Sequence, residues 1–162
     1  MGTSNKRAYL IAIAGSVLVL IVVVALYLVL PLPRFVPHGV EVHDRKTGLT
    51  WQRCSVGQTW QDGNCAGKVA RFTFRDAQRQ ANGPWRLPTR DELASLLLPE
   101  VTQFPKTDHD AFPGMDPAVP GYWSSTPFQD DRGYGVLFAA EDYVGVWWGS
   151  STVAVRLVRS DR

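Results

Sequence analysis

The spacing of apolar and polar residues divides the chain into three regimes. From Ala8 to Leu30 there are 23 residues and no charge. As a helix that run is roughly 35 Å long, enough for a hydrocarbon core of about 30 Å. Beyond it, Val40–His43 and Leu49–Cys54 read as two strands joined by the turn Asp44-Arg45-Lys46-Thr47-Gly48. In the second strand Leu49, Trp51 and Arg53 share one face, and Thr50, Gln52 and Cys54 share the other. Lys68–Phe72 suggests a further short strand. The period then changes. Thr73 stands three residues before Asp76, and Phe74, Ala77 and Ala81 follow at helical spacing up to Asn82-Gly83. Thr89 and Glu92 have capping-box spacing, and Leu93, Leu96 and Leu97 give a second helix, Arg90 to Leu98, one apolar face before Pro99. The remainder alternates again: Tyr122–Thr126, Tyr134–Ala139, Tyr143–Trp148 and Val153–Val158 read as antiparallel strands. Between them, turns are predicted at Pro127–Arg132, Glu141-Asp142 and Gly149-Ser150-Ser151. Both faces of Tyr134–Ala139 are apolar, which predicts a central, covered strand. The pattern as a whole is α+β, with no internal repeat.

The densest local instruction lies in Gly83–Leu93. Gly83-Pro84 stops the preceding helix, and Pro88 keeps Leu87 extended. Trp85 is therefore expected to wedge into the core where the second helix meets the sheet, with Arg86 as a structural ion-pair partner.

Charge sharpens the division at the apolar run. Lys6 and Arg7 precede it; removing these two from seventeen basic residues leaves fifteen, matching fifteen acidic ones. A formally neutral domain offers no electrostatic footprint for nucleic acid. The run exceeds the apolar region of a cleaved signal peptide, typically about 7–15 residues, and Val29-Leu30-Pro31 is a poor cleavage site. A pilin-type start is not present. Tyr9 and Tyr27 near its ends and Pro31 and Pro33 after it suit an uncleaved signal anchor. Lys6-Arg7 and the very short tail favour a cytoplasmic N-terminus, although Arg34, Arg45 and Lys46 follow the span. The expected organisation is a cytoplasmic tail at 1–7, a transmembrane anchor at 8–30, a linker at 31–39 and an ectodomain at 40–160. The expected location is a single-pass protein of the bacterial inner membrane with a periplasmic C-terminal domain.

Export gives the two cysteines a reading. Cys54 and Cys65 flank a loop containing Gly57, Trp60, Gly63 and Asn64. In an oxidising compartment they form one disulfide, worth roughly 2.5–3 kcal/mol in the chain-entropy model. The spacing lacks the close pairs of a zinc site.

Candidate chemistry is sparse. The stretch from Glu100 to Gly121 is long and irregular, which marks it for attention. It carries Pro105, Pro113, Pro117 and Pro120 with Asp108, His109, Asp110 and Asp116, a polar turn cluster without the ligand count or glycine placement of a calcium loop. An enzyme reading would draw acids from Asp108, Asp110, Asp130 and Asp131 and a base from His109, but no nucleophile motif or phosphate loop accompanies them. Arg71, Arg75 and Arg79 recur one turn apart, as a solvated helix face does. No metal or cofactor is expected. Phe128, Asp130, Asp131, Arg132, Tyr143, Trp147 and Trp148 form the candidate ligand or partner surface. Trp147 and Trp148 point to opposite faces of a strand, so at least one is expected outside the core.

Several motifs occur in a specific order: Gly48-Leu49-Thr50-Trp51-Gln52-Arg53-Cys54, Trp60, Cys65, Asn82-Gly83, Trp85-Arg86-Leu87-Pro88-Thr89 with Glu92-Leu93, Tyr122-Trp123-Ser124-Ser125-Thr126, and Val155-Arg156-Leu157-Val158-Arg159. Across about residues 40–160 this resembles the bacterial family typified by the C-terminal domain of the Lcl collagen-like adhesin. The resemblance implies a C-type-lectin-like fold, distantly akin to the formylglycine-generating enzyme domain, with two helices flanking a twisted antiparallel sheet. It implies that Trp51, Trp85, Arg86, Pro88, Thr89, Glu92, Trp123 and Arg156 define the fold. The Glu-Pro-Asn, Gln-Pro-Asp and Trp-Asn-Asp tripeptides of calcium-dependent lectins do not occur, nor do late redox cysteines or collagen-like repeats. The expectation is a membrane-anchored extracytoplasmic interaction module that binds another envelope protein within a larger assembly. The alternative is an adhesin-like module for carbohydrate or peptidoglycan, and an enzyme is the least favoured reading.

Overall fold

The computed structural model describes residues 3–29, 32–115, 118–119, 121–138 and 143–160. The expected turn at Glu141-Asp142 lies outside the described residues, as do Asp116, Pro117 and Pro120 and the side chains of Tyr9, Tyr27 and Tyr143. The chain divides into two compact units, Met1–Pro33 and Arg34–Arg162.

The first unit contains one helix, α1 (Thr3–Val29). Its described side chains, 12–25, are all exposed, Val17 through Val24 among them. Among the described residues no helix is long and apolar enough to cross a membrane.

The second unit is α+β. Its first sheet has the order β1-β2-β3-β9, from β1 (Phe35–His38), β2 (Glu41–Asp44), β3 (Leu49–Gln52) and β9 (Val158–Ser160), all antiparallel. Val42, Trp51 and Val158 face one another across three strands and are fully buried. The stretch expected as linker thus contributes the edge strand β1, where Pro37 is tolerated because an edge leaves donors unused. The turn after β2 is closed by Asp44. Its buried carboxylate accepts from the Lys46 N–H at 2.9 Å and the Thr47 hydroxyl at 2.8 Å, and pairs with Arg34 at 2.6 Å. Burial would raise this carboxyl's pKa, but those hydrogen bonds outweigh it and hold it below the usual range.

A second antiparallel sheet runs β6-β7-β8, from β6 (Tyr122–Phe128), β7 (Arg132–Leu137) and β8 (Tyr143–Trp148). Its central strand is β7, as the two-sided apolar pattern predicts. Two glycines let neighbours approach it: a Cβ on Gly135 would lie 2.0 Å from the Trp147 ring, and one on Gly133 would lie 2.5 Å from the Phe74 ring.

Two short helices pack on this sheet, α2 (Phe74–Gln78) on β6 and α3 (Arg90–Ala94) on β6 and β7. Both expected caps are present. The Thr73 side chain accepts from Asp76 N–H, and Thr89 with Glu92 completes a reciprocal capping box. Both helices are shorter than the apolar spacing predicts. Ser95, Leu96 and Leu97 continue as tightening turns, while the Leu98 N–H turns away to Lys106. The expected ion pair forms: Arg86 clasps Glu92 through two bonds of 2.7 Å. The Arg86 hydrogen bond is the main reason the Glu92 pKa lies below its ordinary value.

Residues 153–158 are all buried, and until β9 begins at Val158 they make no regular ladder. Val153 bridges Phe72, Ala154 bridges Tyr122, the Val155 carbonyl accepts from Val56, the Leu157 carbonyl accepts from Gln52, and Val158 bridges Arg86. The predicted strand is instead a seam, changing partner at almost every residue. The expected strand at Lys68–Phe72 shrinks to the Phe72 bridge for the same reason.

Arg156 sits within this seam, fully buried, between the rings of Phe112 and Tyr122. It donates to the carbonyls of Gln52 and Arg53 and to the Ser55 hydroxyl. Burial lowers its pKa, and Tyr122 acts in the opposite direction. Trp123 and Trp51 are also fully buried, but Trp85 is only half-buried. The tight turn Asn82–Trp85, closed by two 3.0 Å backbone bonds, sets Trp85 at the surface edge of the second core cluster instead of inside it.

Candidate functional site

The cleft with the densest set of aromatic and amide side chains lies beside the first sheet, and no described residue of the long loop lines it. Cys54 and Cys65 are disulfide-bonded with Cα atoms 5.4 Å apart. Within the closed loop, β4 (Thr59–Gln61) and β5 (Asn64–Ala66) form a hairpin. Its two-residue turn, Asp62-Gly63, has positive φ at both positions, +50° and +83°, as a type I′ turn requires. The hairpin raises Trp60 on one side. On the other, the Asn82–Trp85 turn raises Trp85. Between them lies a cleft of about 460 Å³, floored by Gln52, Ser55 and Leu157 and walled by Glu41 and Gln80.

Each indole is backed by a guanidinium. Arg53 lies 3.9 Å from the Trp60 ring centroid, and Arg159 lies 5.4 Å from that of Trp85. Arg53 is held rigidly by the carbonyls of Ala111 at 3.1 Å, Gly39 at 3.2 Å and Asp110 at 2.5 Å. Burial lowers its pKa, partly offset by Asp110 and Asp108. Arg159 pairs with Glu41 at 2.8 Å, which engages the cleft's carboxylate. One face of each ring is thus occupied by a cation, leaving at most the other for a ligand.

The polar groups divide into engaged and unengaged. The Gln58 amide serves the loop, accepting from Ser55 N–H and donating to the Gly114 carbonyl, and Gln80 donates to the Asp76 carbonyl. Ser55 is engaged by Arg156 and Tyr122. The side chains of Gln52, Thr59 and Asn82 have no partner among the described residues. The cleft therefore offers two aromatic faces and several neutral donors and acceptors, with little net charge.

The predicted surface residues assemble in part, elsewhere. Phe128, Arg132 and Trp148 face one another across β6, β7 and β8. The Arg132 guanidinium sits between the rings, 4.8 Å from Phe128 and 5.3 Å from Trp148. Trp148 is 63% exposed, and Asp130 contacts Arg132 at 3.5 Å. Asp131 uses its carbonyl to hold Gly149. Trp147 points to the opposite face, packed against Trp123 at 5.8 Å, so the pair divides as strand alternation requires. In the long loop, Asp108 caps the Ala111 N–H at 2.8 Å. The His109 Nε2 is buried without a hydrogen-bond partner among the described residues. Among the described residues no three His, Cys, Asp or Glu side chains gather.

The fold is α+β, and the recess between Trp60 and Trp85 lies beside its disulfide-closed loop. Residues 40–159 match the Lcl C-terminal domain family, and the chain belongs to that family. No curated protein matches it.

Proposed function

We propose that the chain is a binding module of the bacterial cell envelope. Its domain takes the C-type-lectin-like form implied by its family, and α1 anchors it as a single span with the domain on the periplasmic side. The anchor reading rests on the 23 uncharged residues of Ala8–Leu30 and on the aliphatic side chains exposed along α1. The ligand that the cleft fits best is a glycan, with peptidoglycan the nearest source in that compartment. One observation carries this: Trp60 and Trp85 flank the carboxamides of Gln52 and Asn82, which have no partner among the described residues. Indole faces pack on the C–H faces of a sugar ring, and amides pair with its hydroxyls without demanding charge. Binding is proposed rather than turnover, because glycoside hydrolysis ordinarily uses two carboxylates and Glu41 is held by Arg159.

Retention on purified peptidoglycan sacculi tests this. The full chain in detergent is expected to be retained and Trp60→Ala to be released. Equal retention of both, or of neither, contradicts it.

A second reading is contact with another envelope protein. The row of exposed Phe128 and Trp148 around half-buried Arg132 favours it, since aromatic and arginine side chains are enriched at protein interfaces. A pull-down of the full chain from native membranes that recovers no stable partner would sink it.

A further inference from the structure

The second sheet ends at β8, and among the described residues no strand lies beyond it. Folded proteins ordinarily blunt such an edge with charge, proline, a bulge or brevity. The six residues Tyr143–Trp148 carry no charge and no proline. Their register with β7 is unbroken, the irregularity of this sheet falling in β6. On one face of β8, Val144 is 39% exposed and Trp148 63%, on either side of half-buried Val146.

The geometry points to β8 pairing antiparallel with β8 of a second copy of this chain, about a two-fold axis through Val146. This deepens the reading of the Phe128, Arg132 and Trp148 row as a protein-contacting surface and rests on it. Residues directly opposite in an antiparallel pair share a face. A two-fold axis normal to the sheet must therefore pass through a residue, not between two. The ladder cannot continue past Trp148, whose carbonyl accepts from Ser151, while that of Gly149 accepts from Phe74. An axis at Gly145 leaves Trp148 beyond the end of the partner strand, and an axis at Trp148 leaves Val144 uncovered. Only an axis at Val146 sets Trp148 of each copy against Val144 of the other, so that the exposed apolar side chains cover one another. The arrangement is isologous and closed. No charges oppose, because β8 has none, and the two Arg132 side chains stay roughly 20 Å apart by strand spacing and rise.

Cysteine crosslinking of the full chain in detergent tests the register. Under mild oxidation Val146→Cys is expected to give a dimer. A mixture of Val144→Cys and Trp148→Cys is also expected to give one. Val144→Cys alone should not, since its two copies lie about 14 Å apart by strand rise and a disulfide needs Cα atoms about 4.4–6.8 Å apart. Adding Trp148→Glu should remove most of the Val146→Cys dimer. A monomeric Val146→Cys, or equal crosslinking of every single variant, overturns the proposal. Sedimentation supplies a cysteine-free readout: wild type should be dimeric and Trp148→Glu monomeric with unchanged melting, and a monomeric wild type overturns the pairing. If that monomer still recovers a different envelope protein, the partner surface stands and self-pairing fails; if it recovers none, both fail.

Discussion

Arg156 sets the terms at the scale of single residues. Its guanidinium is enclosed by Phe112 and Tyr122 and supports the backbone of the cleft floor through the carbonyls of Gln52 and Arg53. Truncation leaves those acceptors unpaired in the core. Arg156→Ala is expected to cost about 3 kcal/mol or more, since orphaned buried groups each cost about 1–3 kcal/mol. Arg156→Lys should recover little of it, because an ammonium cannot reproduce the fork. Urea midpoints check both. The two tryptophans of the second cluster should differ. Trp123→Ala is expected to cost about 3–5 kcal/mol, the range for a buried aromatic, and half-buried Trp85→Ala clearly less. Equal losses would return Trp85 to the core position that its sequence context suggests.

Among the elements, the turn after β2 and the start of α3 depend on carboxylates whose pKa lies below the ordinary value, Asp44 and Glu92. A depressed native pKa means the folded state binds the proton less readily than the unfolded chain. The resulting stability is present above the unfolded carboxylate range, about pH 4–4.5, and is lost as pH falls through the native values. Stability should therefore fall steeply below about pH 4. In Asp44→Asn that fall should be shallower, from a lower starting stability; an unchanged acid limb in this variant contradicts the assignment. Thr89→Ala should cost about 1 kcal/mol through loss of the capping box.

The same elements show what local sequence can specify. Both caps, the β2–β3 hairpin and the β6-β7-β8 meander were legible because their signals lie within a few residues of what they determine. The β4–β5 hairpin is hard to see in the sequence, although Asp62-Gly63 is a strong two-residue turn signal, because three-residue strands carry almost no alternation. The Val153–Val158 seam imitated a strand because burial on every side and ladder pairing leave the same apolar run. The cleft was illegible for a different reason. Gln52, Trp60, Asn82 and Trp85 come from segments that only tertiary packing brings together, and no one segment has the composition of a site.

At the scale of the molecule, the disulfide joins stability to function. It closes the loop that carries Trp60, so reduction should cost roughly 2.5–3 kcal/mol and weaken glycan retention, with Trp60 released from Arg53. Melting and sacculus retention measured with and without reductant check this together. Retention that survives reduction intact would remove the loop from the binding site.

The Trp60–Trp85 cleft is proposed to receive a glycan. The most direct measurement is a titration of the full chain, labelled at its tryptophan indoles, with soluble peptidoglycan fragments, followed by NMR. Saturable shifts of the Trp60 and Trp85 indole signals are expected, while buried Trp51 and Trp123 stay in place. Unmoved Trp60 and Trp85 signals at saturating fragment, or shifts confined to Trp148, would contradict it.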